Sequence, residues 1–151
     1  MQIKDNKIDV SDEMKLFKRR MTENGLKSTP QREELAIWIF QMHEHFTVDE
    51  IIASFREKGK RVSSATVYRV IQMMLELGMV IEHDFGKGYK HYEHTPGHPH
   101  HDHFICNECG KISEFSDMAL EELKHKIAEE NHFKMTSHSL QIFGYCKECQ
   151  K

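Results

Sequence analysis

Two short knuckles constrain how this chain can fold: Cys106-Asn-Glu-Cys109 and Cys146-Lys-Glu-Cys149. Together they offer four thiolates, the complete ligand set of a closed tetrahedral Zn²⁺ site. If one ion holds all four, the last residues must return to the segment around residue 106. Everything between must then form a unit that closes on itself. The intervening 36 residues are more than a compact zinc ribbon uses. Loop-closure cost rises only slowly with length, so the spacing is no obstacle. Redox pairs or ordinary buried thiols are the alternatives. A thioredoxin-like pair needs a βαβ setting, which the flanking residues lack. The reading is therefore a structural zinc site that pins a C-terminal strand to a central sheet.

The size of the chain, 151 residues, allows one ordinary domain or two small ones. With 38% apolar and 30% charged residues it reads as a water-soluble chain, and its apolar runs are too short to cross a bilayer. Met1–Lys7 lacks the apolar core of a leader. A cytoplasmic location is expected, where paired cysteines favour metal over disulfides. The net charge is -3, unevenly spread. Residues 1–88 balance 14 Lys and Arg against 14 Asp and Glu, while residues 89–151 carry 7 against 10.

The first half reads as helices. Met14, Phe17 and Met21 recur at helical spacing after Ser11, and Gly25-Leu26-Lys27-Ser28 breaks the run. Thr29 fits an N-cap with Pro30 at the first helical position. Leu35, Trp38, Ile39 and Met42 then mark one buried face. Thr47-Val48-Asp49-Glu50 fits a capping box, with Ile51, Ile52 and Phe55 inward and Gly59 at the end. A fourth helix starts at Ser63 or Ser64, buries Val67, Val70, Ile71 and Met74, and stops at Gly78. Residues 79–85 and 89–93, joined by Gly86-Lys87-Gly88, predict a β-hairpin. Helices followed by such a hairpin describe a winged helix-turn-helix. Thr95-Pro96-Gly97-His98-Pro99 reads as a hinge. Beyond it, strands are expected over 100–105, 111–115 and 137–145, with a helix marked by Leu120, Leu123 and Ile127.

Ahead of the first knuckle stands His100-His101-Asp102-His103. If 100–105 is a strand, His100 and Asp102 point to one face while His101 and His103 point to the other. One strand could then feed two separate nitrogen and oxygen sites. His45, Glu93, Glu114, Glu121 and His138 are candidates for the remaining ligands. The bland alternative is a solvated, histidine-rich surface. Four ligand-type residues in a row beside a zinc knuckle weigh against it.

With these motifs on the page the chain resembles the ferric uptake regulator family. The likeness rests on His100-His101-Asp102-His103-x-x-Cys106-x-x-Cys109-Gly110-Lys111, on Ala65-Thr66-Val67-Tyr68-Arg69 upstream and on His138-Ser139-Leu140 downstream. It runs from about Gly25 to Cys149. The resemblance implies an α+β architecture, with an N-terminal winged helix-turn-helix domain and a C-terminal α/β dimerisation domain carrying structural zinc. On this chain the division is a DNA-binding domain over 1–94, a hinge over 95–99 and a metal-binding dimerisation domain over 100–151. Three metal sites are implied. Cys106, Cys109, Cys146 and Cys149 match structural zinc. His45, Glu93, His101, His103 and Glu114 match the regulatory site. His100, Asp102, Glu121 and His138 match an additional site. Fe²⁺ is the implied regulatory ion, with Zn²⁺ or Mn²⁺ as substitutes. A glycine and two prolines between Glu93 and His100 depart from some members.

The implied function is a repressor that senses ferrous iron and controls iron-uptake genes. It would bind an A/T-rich palindromic operator in double-stranded DNA as a homodimer, with pairs of dimers as a further assembly, and would have no membrane partner and no enzymatic activity. Peroxide, manganese, nickel and zinc sensors share the scaffold. Peroxide sensors commonly carry aspartates where Glu93 and Glu114 stand, which favours iron. The helix opening at Ser64 occupies the recognition position, and Thr66, Tyr68 and Arg69 lie off its apolar face. Tyr68 can touch a thymine methyl, and Arg69 can pair with phosphate or guanine. Lys27 matches a lysine that reaches a narrow minor groove. Arg32 and Lys18–Arg20 are candidates for phosphates. A metallohydrolase built on the His/Asp cluster is the reading from another class. It lacks a His-Glu-x-x-His helix and a clear general base.

Overall fold

A computed structural model describes residues 8–151. The Met1–Lys7 stretch, read above for a leader, lies outside them. The chain divides into two compact units, one ending at His98 and the other running Pro99–Lys151.

In the first unit, side chains set the helix starts where the sequence supplies them. Helix α1 (Ser11–Glu23) begins at Ser11 itself, whose N–H donates to Asp9 Oδ1 at 2.9 Å. Thr29 caps α2 (Pro30–Gln41) by accepting from the Arg32 N–H. Thr47 and Glu50 form the reciprocal box that opens α3 (Val48–Glu57), with Glu50 accepting from the Thr47 N–H at 2.7 Å. Ser63 caps α4 (Ser64–Glu76). Gly78 ends it in the left-handed region, at φ 68°, and lets the Met79 N–H reach back to the Met74 carbonyl at 2.9 Å. Met42 ends α2 as its C-cap in extended backbone, so it lies outside the helix whose face it was expected to extend.

The hairpin pairs β1 (Val80–Asp84) with β2 (Lys90–His94) in antiparallel register, Val80 opposite His94. Both strands are shorter than predicted at the turn, which spans five residues and carries Gly86 and Gly88 at positive φ. Phe46 adds a bridge to β2. Its N–H donates to the Tyr92 carbonyl at 2.9 Å, and the Tyr92 N–H returns a bond of 2.8 Å. That bridge sets the loop after α2 beside the strand. A core of Phe17, Leu35, Ile39, Phe40, Phe46, Ile51, Ile71, Met74 and their neighbours joins α1–α4 to the hairpin. Burying such side chains stabilises by roughly 1.5–3 kcal/mol each.

The second unit is a three-stranded sheet in the order β4-β3-β5, with β3 (Asp102–Cys106), β4 (Ile112–Phe115) and β5 (Gln141–Gly144). Helix α5 (Met118–Glu130), capped by Asp117, precedes β5. Strands β3 and β5 run parallel with Cys106 opposite Gly144. Both knuckles therefore open from the same end of the sheet, as one four-thiol site requires. Two expectations change. Strand β3 starts at Asp102, so His100 and His101 precede it, and β5 covers four residues where nine were expected. The reason for the second lies at Leu140, whose N–H donates to the Asp102 carboxylate at 3.0 Å. Among the described residues this unit buries Ile105 and Cys106 as its apolar side chains.

Candidate metal centres and nucleic-acid interface

The four thiols converge. One sulfur from each lies within 4.8 Å of the others, and none is in a disulfide. A tetrahedral cage with Zn–S bonds of about 2.3 Å sets its sulfurs roughly 3.8 Å apart. Cys109 Sγ and Cys146 Sγ stand 3.7 Å apart. Backbone N–H groups prepare the site, with Cys146 N–H donating to Cys106 Sγ at 3.4 Å. Those of Cys146 and Cys109 pull the Cys106 thiol down to about 6. Hydrogen bonding to Cys146, then burial, pushes Cys149 up to about 12. One thiolate is thus available at neutral pH, while the last proton leaves only when a cation replaces it. The cluster is suited to structural zinc.

Strand pairing and the Phe46 bridge build a second cluster inside the first unit. His45 and Glu93 neighbour the bridged pair, and His45 Nε2 lies 3.4 Å from Glu93 Oε2. The other carboxylate oxygen meets His83 Nε2 at 2.7 Å. Glu93 sits within β2 and not in the hinge. His83 was not among the expected residues. It stands two positions along β1 from Ile81, the partner of Glu93, and so shares its face across the hairpin.

In the second unit the other expected regulatory residues gather. His103 is opposite Glu114 in the β3–β4 register, and the His101 and His103 rings are 5.0 Å apart. His101 Nε2 lies 3.6 Å from Glu114 Oε1. Its Nδ1 is 3.3 Å from the Pro99 carbonyl, which favours the tautomer that leaves Nε2 open for a metal.

The additional cluster forms on the same unit. His100 Nε2 lies 3.2 Å from Asp102 Oδ1, and His138 Nε2 lies 3.1 Å from Glu121 Oε2. A lysine that sequence reading passed over stands among them. Lys124 Nζ is 2.5 Å from Asp102 Oδ2, 3.0 Å from Glu121 Oε1 and 3.3 Å from His138 Nδ1. Burial opposes ionisation of Asp102, but the Lys124 ammonium and the Leu140 N–H outweigh it and lower its pKa. Burial, then His100 and Lys124, lower that of His138. An ammonium here competes with any divalent ion for the same lone pairs. Lys124→Gln should therefore tighten divalent binding at this cluster at least about tenfold. Removing one positive charge some 4–5 Å from the ion exceeds ~1.4 kcal/mol even when screened. Calorimetry on protein with its cysteine site filled checks this, and unchanged affinity contradicts it.

The expected nucleic-acid residues divide. Tyr68 and Arg69 are exposed on α4, while Thr66 is half-buried with its hydroxyl 2.9 Å from Ser63 Oγ. Lys27 is exposed, and Arg32 donates through Nη1 to its carbonyl at 2.6 Å, bracing the turn that carries it. Arg20 is not a free phosphate contact. Its Nη1 donates to the Leu77 carbonyl at 2.8 Å, where α4 leaves acceptors unfilled.

The sequence profile of the ferric uptake regulator family matches residues 23–143. This chain belongs to that family. A ferric uptake regulation protein of Legionella pneumophila is 38% identical over 133 residues, covering 87% of this chain and 97% of that protein. The Helicobacter pylori ferric uptake regulator, whose structure is described as revealing three functional metal binding sites, superposes with a TM-score of 0.81 at 31% identity, over 96% of both chains. The Pseudomonas aeruginosa ferric uptake regulator with manganese gives 0.76 at 27% identity, over 86% of this chain and 97% of that one. The ferric uptake regulator fold accounts for both units, the winged helix-turn-helix and the α/β unit with its four-cysteine cluster.

Proposed function

We propose that this member of the ferric uptake regulator family is a repressor that binds an A/T-rich palindromic operator when charged with ferrous iron. The observation that carries the reading is the distribution of ligand-type side chains. His45 and Glu93 gather beside the recognition-helix scaffold, and His101, His103 and Glu114 gather on the sheet of the other unit. A bound Fe²⁺ supplies one fixed coordination geometry, which neutral imidazoles and carboxylates suit. His45 and Glu93 offer their lone pairs from one unit and the three sheet residues from the other, so a shared ion would restrict how the units orient. Two recognition helices of a dimer can then match two half-sites. Without that restraint, ordering the units costs affinity.

The relatives bear the name ferric uptake regulation protein, and that supports iron as the signal. Dimer formation is supported by apolar side chains left exposed in the second unit: Phe104, Leu123, Ile127, Ile142 and Phe143. No described helix is long and apolar enough to cross a membrane. The reading involves no turnover and a cytoplasmic site of action.

Base reading is assigned to α4. Tyr68→Ala and Arg69→Ala should each weaken operator binding by about 1–3 kcal/mol, roughly five- to 150-fold, with metal content unchanged. Fluorescence anisotropy with a labelled duplex measures this. Wild-type affinity in both variants would remove α4 from the interface.

A further inference from the structure

One group of histidines belongs to none of the three implied sites. His43, His94 and His98 each offer a ring nitrogen within 4.8 Å of the others, all inside the winged-helix unit. Strand alternation separates them from the regulatory ligands. Glu93 turns to His45 and His83, whereas the next residue, His94, packs edge-on to Phe40 with ring centres 5.7 Å apart. The His94 ring is 4.4 Å from that of His98 and 6.0 Å from that of His43, which is itself 5.5 Å from His98.

The spacing of the ring nitrogens is compatible with coordination. Zn–N bonds of about 2.0 Å at tetrahedral angles set two ligand nitrogens roughly 3.3 Å apart. His94 Nε2 and His98 Nε2 face each other at 3.2 Å. His94 is buried, and the hydrogen bond between its Nε2 and that of His98 needs a proton on one of the two nitrogens, the proton a bound cation would displace.

We propose that His43, His94 and His98 form a further divalent-cation site, of the imidazole-rich class that suits Zn²⁺, with a fourth position open to water. It joins three segments: the loop after α2, the end of β2, and the turn in which the His98 N–H donates to the Thr95 carbonyl at 3.2 Å. An occupied site pins the start of the linker to the winged-helix unit. The proposal stands on these three residues alone and not on iron sensing or operator binding.

Full-length protein with its cysteine zinc in place, dialysed against low-micromolar free Zn²⁺, tests it. His43 is exposed and His98 half-buried, so His43→Gln with His98→Gln leaves the core untouched. The double variant should hold one zinc fewer per chain than wild type. The imidazole ¹⁵N signals of His94 should shift on zinc addition in wild type and stay fixed in the variant. Equal zinc content, or His94 signals that stay fixed in wild type at saturation, overturns the proposal. If circular dichroism shows the double variant unfolded, His43→Gln alone should weaken one zinc equivalent at least tenfold, and undiminished affinity overturns the proposal equally.

Discussion

Stripping zinc from the four cysteines, or replacing Cys109 or Cys149 by serine, should unfold residues 99–151 and abolish dimerisation. The expectation follows from how little else holds that unit. Among the described residues its buried apolar side chains are Ile105 and Cys106, and α5 buries none. Three strands of four or five residues need a buried apolar face or a packed helix to stand alone, and this unit supplies little of either. Units of this size commonly need a metal or a partner. A structural Zn²⁺ contributes on the order of 10 kcal/mol, which exceeds the whole stability of many domains. The first unit carries its own extended core and should stay folded. Amide spectra before and after chelation, with light scattering for mass, measure both effects. The expected result is collapse of the dispersed signals of residues 99–151 and a halved mass. Dispersed signals from zinc-free protein would show that the cysteines are not what holds the unit.

His101→Ala combined with His103→Ala should reduce operator affinity in the presence of metal to its metal-free level, a loss of about 100-fold or ~2.7 kcal/mol of coupling. The cysteine zinc should remain. His103 is only 1% exposed, so its truncation also leaves a cavity. His101→Ala alone separates the two effects, because its side chain is partly exposed. The single variant should lose most of the metal response at unchanged thermal stability. A double variant that keeps the full metal response would exclude these residues from the switch.

The architecture was legible wherever local chemistry decides the outcome. Thr29 and Thr47 cap the helices they were assigned, Ser63 proves to be the cap where Ser63 or Ser64 was expected to start α4, and Gly78 ends it, because those contacts span only a few residues. The pairs expected from alternation along residues 100–103 do meet, His100 with Asp102 and His101 with His103, although His100 and His101 precede the strand that the alternation assumed. Long-range contacts were not legible. The place of His83 beside Glu93 depends on hairpin register. Lys124 could have been suspected from its i,i+3 spacing to Glu121, yet its bond to Asp102 crosses from helix to sheet. Arg20 read as a phosphate contact because its true acceptors, the carbonyls ending α4, lie 57 and 58 residues away. His43, His94 and His98 come together only because the Phe46–Tyr92 bridge sets the loop after α2 beside the end of β2.

The central claim is that metal, taken up by residues outside the cysteine cluster, controls DNA binding. Its most direct test is an anaerobic Fe²⁺ titration of zinc-loaded protein against a labelled A/T-rich palindrome, followed by fluorescence anisotropy and reversed with chelator. Mn²⁺, Zn²⁺ and Ni²⁺ serve as parallel titrants. Affinity should rise by about 100-fold on Fe²⁺ addition, saturate with occupancy of the His101–His103 ligand set, and fall back on chelation. Equal affinity with and without ion, while the cysteine zinc stays bound, would contradict the account.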